Sequence, residues 1–81
     1  MNDKRRKELN EIFRELHALQ GRLDDIQNEE QDAYDNLPES LQSAEKGEQM
    51  QEYINAIDQS KSDLETTMDT LAQLDFIEEI F

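Results

Sequence analysis

The chain has 81 residues, of which 36% are charged and 6% aromatic, and its formal net charge is −13 at pH 7. This length fits one small domain, and the absence of cysteine excludes a disulfide framework, a thiolate metal site and a cysteine nucleophile. The acidic balance argues against direct binding to nucleic acid or to a membrane surface, and no apolar run has the length of a membrane span. We therefore expect a cytoplasmic protein with a basic protein partner.

The first predicted element is a long helix over about residues 3–36. Its apolar positions alternate at intervals of three and four residues, which is the a/d pattern of a coiled coil. Such a row turns one face of the helix toward a partner helix. The members of the row, starting from an a position, are Leu9, Ile12, Leu16, Leu19, Leu23, Ile26, Glu30, Ala33 and Leu37.

A turn is predicted over about residues 37–43. Proline disfavours helix at the residue before it and suits the first turn of a new helix, so Pro38 should end the first helix near Asn36. Asn36 and Glu39 have the spacing of a capping box. The second helix can start at Pro38 or, after one short turn, near Ser43.

The second long helix is predicted over about residues 44–75, and its row pairs with the first if the chain folds back about residue 40. Ala33 would then lie opposite Gly47, and Lys61 opposite Leu19 as a polar layer that fixes the register. The predicted fold is an all-α antiparallel two-helix coiled-coil hairpin that dimerises into a four-helix bundle. The second row consists of Met50, Ile54, Ile57, Lys61, Leu64, Met68, Leu71 and Asp75.

Apolar residues outside these rows indicate a further interface. A two-helix contact buries its side chains only in part, so a small scaffold of this kind needs additional burial. The C-terminal tail, residues 76–81, can cap the hairpin, dock on a second copy or enter a groove of a foreign protein. We expect self-association as a homodimer. The residues assigned to it are Phe13, Tyr34, Tyr53, Leu74, Phe76, Ile77, Ile80 and Phe81.

Catalytic and metal-binding motifs are missing from the sequence. The single histidine, His17, has Arg14 where a Glu-x-x-His metal motif needs glutamate, and there is no glycine-rich phosphate loop. The acids near the turn lack the spacing and central glycine of a calcium loop. We predict that the chain is not an enzyme and takes no cofactor, metal or small-molecule substrate.

The acidic residues concentrate around the turn. From Asp24 to Glu52 there are ten acids and one base, Lys46, on a helical stretch about 20 Å long. That density of charge is comparable to the one phosphate per ~1.7 Å of duplex DNA. It suggests an inhibitor that imitates nucleic acid, and the alternative is an exposed face that keeps the protein in solution. The residues assigned to partner binding are Asp24, Asp25, Glu29, Asp32, Asp35, Glu39, Glu45, Glu48 and Glu52.

The segment of residues 33–42, AYDNLPESLQ, resembles the turn of small acidic helical proteins of gram-positive bacteria, their phages and mobile elements. Ser43, Glu45, Gly47, Glu48 and Met50 extend the resemblance to about 20 residues. It implies a small accessory protein, a kind that often inhibits host machinery. It brings no activity and no binding residues to this chain.

Overall fold

The computed structural model describes residues 2–74, and within them the chain is all-α, which confirms the predicted class. Its helices there are α1 (Asp3–Asp35), α2 (Glu39–Gln42) and α3 (Glu45–Ala72). The Cα atoms span 58 × 16 × 15 Å, an elongated shape. The predicted tail residues Phe76, Ile77, Ile80 and Phe81, and the last row member Asp75, lie outside the described residues.

The first helix begins and ends where local chemistry favours it. The Asn2 side-chain oxygen accepts a hydrogen bond from the backbone N–H of Arg5 at 2.9 Å, which satisfies one of the free donors of the first turn. Asp3 adds a negative charge at the positive end of the helix dipole. At the other end, Asn36 donates its backbone N–H to Asp32 O at 3.1 Å, and the helix ends three residues before Pro38.

The predicted turn contains the short helix α2, which starts directly after Pro38. The backbone N–H of Leu41 donates to the Pro38 carbonyl oxygen at 2.9 Å, and no side chain caps this helix. Asn36 therefore closes α1 and forms no capping box with Glu39, so that expectation was wrong. Of the two starts left open for the second long helix, the later one agrees with α3, which begins at Glu45.

The two long helices lie side by side. The Gln20 Nε2 donates to the backbone oxygen of Lys61 at 3.2 Å, and the Gln27 Nε2 donates to that of Ile54 at 3.3 Å. These bonds join later residues of α1 to earlier residues of α3. They lie within one residue of the register expected from folding about residue 40.

Helix α3 presents the predicted row. Ile54 and Met68 are its most buried members, with 7% and 6% of their surface exposed. The remaining described members are half-buried, as are Leu9, Leu16 and Leu23, the a positions of α1. Within residues 2–74, Ile54 and Met68 are the buried hydrophobic side chains, so the helix pair has a thin core.

Helix α1 is rotated relative to the prediction. Ile12, Leu19 and Ile26, expected in the contact with the second helix, are 46%, 44% and 50% exposed, and Ala33 is exposed too. The a positions still face α3, but they are joined by the e positions instead of the d positions. The half-buried residues that replace the d row are Phe13, Gln20, Gln27 and Tyr34.

Gln42 connects the three helices. Its side-chain Nε2 donates to the Tyr34 carbonyl oxygen at 3.0 Å, and its backbone lies against buried Gly47. A Cβ built on Gly47 would overlap the Gln42 backbone, with its carbonyl carbon at 2.6 Å and its Cα at 2.7 Å. The close approach at Gly47 is therefore to α2, and the predicted pairing of Gly47 with Ala33 was wrong.

Gly47→Ala should lower the free energy of unfolding by about 1–3 kcal/mol, because the added methyl group forces backbone apart. Circular dichroism with urea, at fixed protein concentration, measures this change.

Gly21→Ala is the matched control. Gly21 is exposed inside α1 and a Cβ there meets nothing within 4 Å, so alanine should raise stability by about 0.5–1 kcal/mol through helix propensity. If the two variants change stability equally, Gly47 is not held against α2.

Candidate interaction surfaces

Lys61 stands in the middle of the contact between α1 and α3, at a position where a coiled coil normally has an apolar residue. Its Nζ donates to Asp24 Oδ1 at 2.6 Å and to Gln27 Oε1 at 2.7 Å. Both partners are on α1, so the ammonium group cross-links the helices. The Lys61 side chain is 22% exposed and that of Asp24 is 52% exposed. A charge this far removed from water is stabilised by such partners.

Two glutamines complete this polar cluster. Gln20 donates to Glu65 Oε2 at 3.0 Å as well as to the Lys61 backbone, and Gln27 reaches Asp58 Oδ1 at 3.4 Å. Each amide thus reaches both a backbone oxygen and a carboxylate on the opposite helix. The polar side of the helix pair is formed by Gln20, Asp24 and Gln27 of α1 with Asp58, Lys61 and Glu65 of α3.

The polar side gives the physical reason for the rotation of α1. In the predicted arrangement the Lys61 ammonium faces Leu19, which accepts no hydrogen bond. Turning α1 toward its e positions replaces Leu19 by Gln20 and brings Gln27 and Asp24 within reach of Lys61. No role was predicted for Gln20 or Gln27. The sequence did contain a signal for them. Gln20 and Gln27 are seven residues apart at e positions of α1, and the facing row of α3 contains Lys61, which needs hydrogen-bond partners.

The rotation leaves an apolar stripe on α1, which consists of Ile12, Leu19 and Ile26. The three residues are seven apart, so they form a straight row parallel to the helix axis. An open groove of about 320 Å³ lies beside Leu19 and Ile26 of this row, on the side of the α1–α3 contact away from the polar cluster. The groove is lined by Leu19, Arg22, Leu23 and Ile26 of α1 and by Leu64 of α3.

The described residues that we predicted for self-association do not form one patch. Tyr53 and Leu74 are 52% and 47% exposed, whereas Phe13 and Tyr34 are half-buried. Phe13 and Tyr34 are 21 residues apart on α1, or about 31 Å. The apolar stripe is therefore a larger continuous surface for self-association than any of these four residues provides.

The acidic tip is the set of nine acids around the turn that we assigned above to partner binding. All nine are exposed. Asp24 is paired with Lys61, and Asp35 accepts a hydrogen bond from Gln31 Nε2 at 3.0 Å. The other seven make no ion pair with residues 2–74. The negative charge of the acidic tip is therefore largely uncompensated.

The structure also bears on metals and membranes. Over residues 2–74, no three His, Cys, Asp or Glu residues are close enough together to hold a metal ion. The described helices include none with both the length and the apolar character needed to cross a membrane. His17 is exposed and lines an open groove on the polar side, beside Gln20 and Asp24.

Comparisons of the chain with models of protein families, with curated proteins and with solved structures find no match.

The ion pair between Lys61 and Asp24 should show a coupling free energy of about 0.2–1 kcal/mol in a double-mutant cycle of Lys61→Gln and Asp24→Asn. The value is small because half of the Asp24 side chain is open to solvent. Urea denaturation at low and high salt measures it, and the coupling should decrease as salt screens the pair.

Asp25→Asn replaces Asp24→Asn in the control cycle, since Asp25 is its exposed neighbour and has no partner among residues 2–74. Its coupling to Lys61→Gln should be close to zero. Equal coupling in both cycles would mean that Lys61 senses the general acidity of α1 and not Asp24 itself.

Proposed function

We propose that the chain is a non-enzymatic protein-interaction module built on an antiparallel helical hairpin. The hydrogen bonds from Gln20 to Lys61 and from Gln27 to Ile54 support the hairpin, because the partner number falls along α3 as it rises along α1. The thin core also supports this role, because binding a partner would bury apolar surface that the helix pair leaves exposed.

The apolar stripe is the observation that carries the proposal. Ile12, Leu19 and Ile26 expose about half of their surface in a row that matches the repeat of a facing helix. Single exposed apolar residues are common, but three aligned beside an apolar groove mark a surface for a protein partner. A groove that is open along one side suits a helix better than a small substrate.

Leu19→Gln with Ile26→Gln should weaken partner binding by about 10–100-fold. Half of the ~1.5–3 kcal/mol for full burial of each side chain remains to be gained on binding, so two residues contribute about 1.5–3 kcal/mol. The full chain is immobilised and its retention of proteins from its source cells, and of free copies of itself, is measured.

Ala56→Gln with Ala72→Gln is the matched control, because both alanines are exposed on α3 and lie outside the groove. Circular dichroism should show both double variants to be as helical as the original chain. Two outcomes would contradict the proposal. In the first, the original chain retains no protein. In the second, the variant with Leu19→Gln and Ile26→Gln retains proteins as well as the control variant does.

The acidic tip supports a second candidate function, an acidic mimic of nucleic acid that inhibits a basic DNA- or RNA-binding protein. The side-chain carboxylates of seven of its nine acids have no ion-pair or hydrogen-bond partner among residues 2–74, so they can meet basic side chains without losing an existing partner. From Asp24 to Asp35, α1 carries five of the nine carboxylates over about 17 Å, and three of those five are unpaired. The turn resemblance to phage and mobile-element proteins favours the same role.

The mimic should displace duplex DNA from basic nucleic-acid-binding proteins of its host. Its affinity should fall at least about tenfold between 50 and 200 mM salt, because screening weakens a largely electrostatic contact. Asp32→Asn, Asp35→Asn and Glu39→Gln together should abolish displacement, measured by the fluorescence polarisation of a labelled duplex.

A control variant removes three charges from exposed acids outside the acidic tip: Glu8→Gln, Glu11→Gln and Asp69→Asn. It should still displace the duplex. If both triple variants lose activity to the same degree, total charge matters and the acidic tip is not a binding surface.

A further inference from the structure

The apolar stripe is symmetric about Leu19. Ile12 lies seven residues before it and Ile26 seven after, each about 10 Å away along the helix. A surface that is the same read from either end can pair with itself through a two-fold axis, as in the isologous interfaces of most homodimers. We propose that a second copy of this chain docks on the apolar stripe, antiparallel, with the two-fold axis beside Leu19. This inference rests on the proposed function and names its partner.

The side chains fit this axis. Leu19 meets Leu19 of the second copy, and Ile12 meets Ile26 of the second copy on each side. The groove beside the stripe has Leu23 and Leu64 in its lining, both half-buried, so an aliphatic side chain that enters it meets apolar atoms from both helices. Each contact therefore removes aliphatic surface from water on both copies.

The area of the face fits a weak dimer. The row continues one heptad beyond the stripe at each end, to Arg5 and to Ala33, which makes it about 42 Å long. A helix with its side chains is about 10–12 Å wide, so the face measures roughly 420–500 Å² per copy, less than the ~800 Å² per partner of a standard protein interface and in the range of weak complexes.

Charge favours the antiparallel direction. Arg22 lies beside Glu15 of the second copy and Glu15 beside Arg22, and neither residue has an ion pair among residues 2–74. Arg5 lies over Ala33 of the second copy, within one turn of Glu29 and Asp32 there. The like-charged approach of Glu8 to Glu29 opposes this, but Arg5 is one turn from Glu8 and offsets it.

The parallel alternative has the opposite property. It would place the two acidic tips side by side, and seven uncompensated acids on each copy would repel one another. In the antiparallel pair the acidic tips extend in opposite directions from the axis. Their nearest acids, Asp24 of each copy, are about 15 Å apart along the helix, beyond the ~8–10 Å over which charges interact in physiological salt.

The chain has no cysteine, so single cysteines report the geometry directly. Leu19→Cys lies on the axis and should form a disulfide-linked dimer on mild oxidation. Ile12→Cys should not cross-link to itself, because the two copies of that residue are about 21 Å apart, but it should cross-link to Ile26→Cys on a second chain. Ser62→Cys, exposed on the polar side of the helix pair, is the control and should form no disulfide-linked dimer.

Sedimentation of the unmodified full chain accompanies the cross-linking and should give about twice its 9.6 kDa mass. Self-linking of Ile12→Cys would overturn the antiparallel axis. A dimer of the unmodified chain without cross-linking of Leu19→Cys would place self-association on another surface. A monomer at all concentrations would overturn the second copy as occupant, while stripe-dependent retention of another protein would leave the proposed function standing.

Discussion

The Lys61 ammonium group needs hydrogen-bond partners, and this need determines how α1 packs against α3. Lys61 occupies a row position on α3 that faces α1, where water is largely excluded. Its partners, Asp24 and Gln27, are 37 and 34 residues away in the chain, so the bonds form only in one register and one rotation of α1. A polar residue at such a position usually lowers stability and increases specificity, and here it fixes both choices at once.

The rotation of α1 gives up burial of apolar side chains and gains hydrogen bonds to α3. Turning Leu19 and Ile26 toward α3 would bury apolar surface worth about 1.5–3 kcal/mol for each full side chain, but only part of each would be covered by a single facing helix. Leaving the Lys61 charge without a partner costs several kcal/mol in a partly buried place. The Gln20 and Gln27 bonds to α3 add to the same side of the balance. The hydrogen-bonded rotation is therefore favoured, and the aliphatic row is left outside.

The sequence was sufficient for the all-α class. Strict alternation of three and four residues and the single proline carry that information, and Gln20 and Gln27 meet α3 within one residue of the expected positions. The rotation was not predictable in the same way, because large apolar side chains flank the a positions of α1 on both sides. Ile12 and Leu19 lie at d positions on one side, and Phe13 and Tyr34 lie at e positions on the other. Which edge faces α3 depends on polar contacts between residues far apart in the chain.

The same distinction applies to the candidate surfaces. The exposure of the nine acids of the acidic tip was predictable from composition, since charged residues beside a turn are normally exposed. The apolar stripe was not, because its residues were assigned to the contact between the helices. The two surfaces are also compatible with each other. An antiparallel pair of copies joined at Leu19 would keep Glu39, Glu45 and Glu48 accessible at each end, since these acids lie on α2 and α3, outside the row on α1. Such a pair would present two acidic ends on one assembly. A basic partner with two sites would then bind more tightly than to a single copy, by effective concentration and without any new contact.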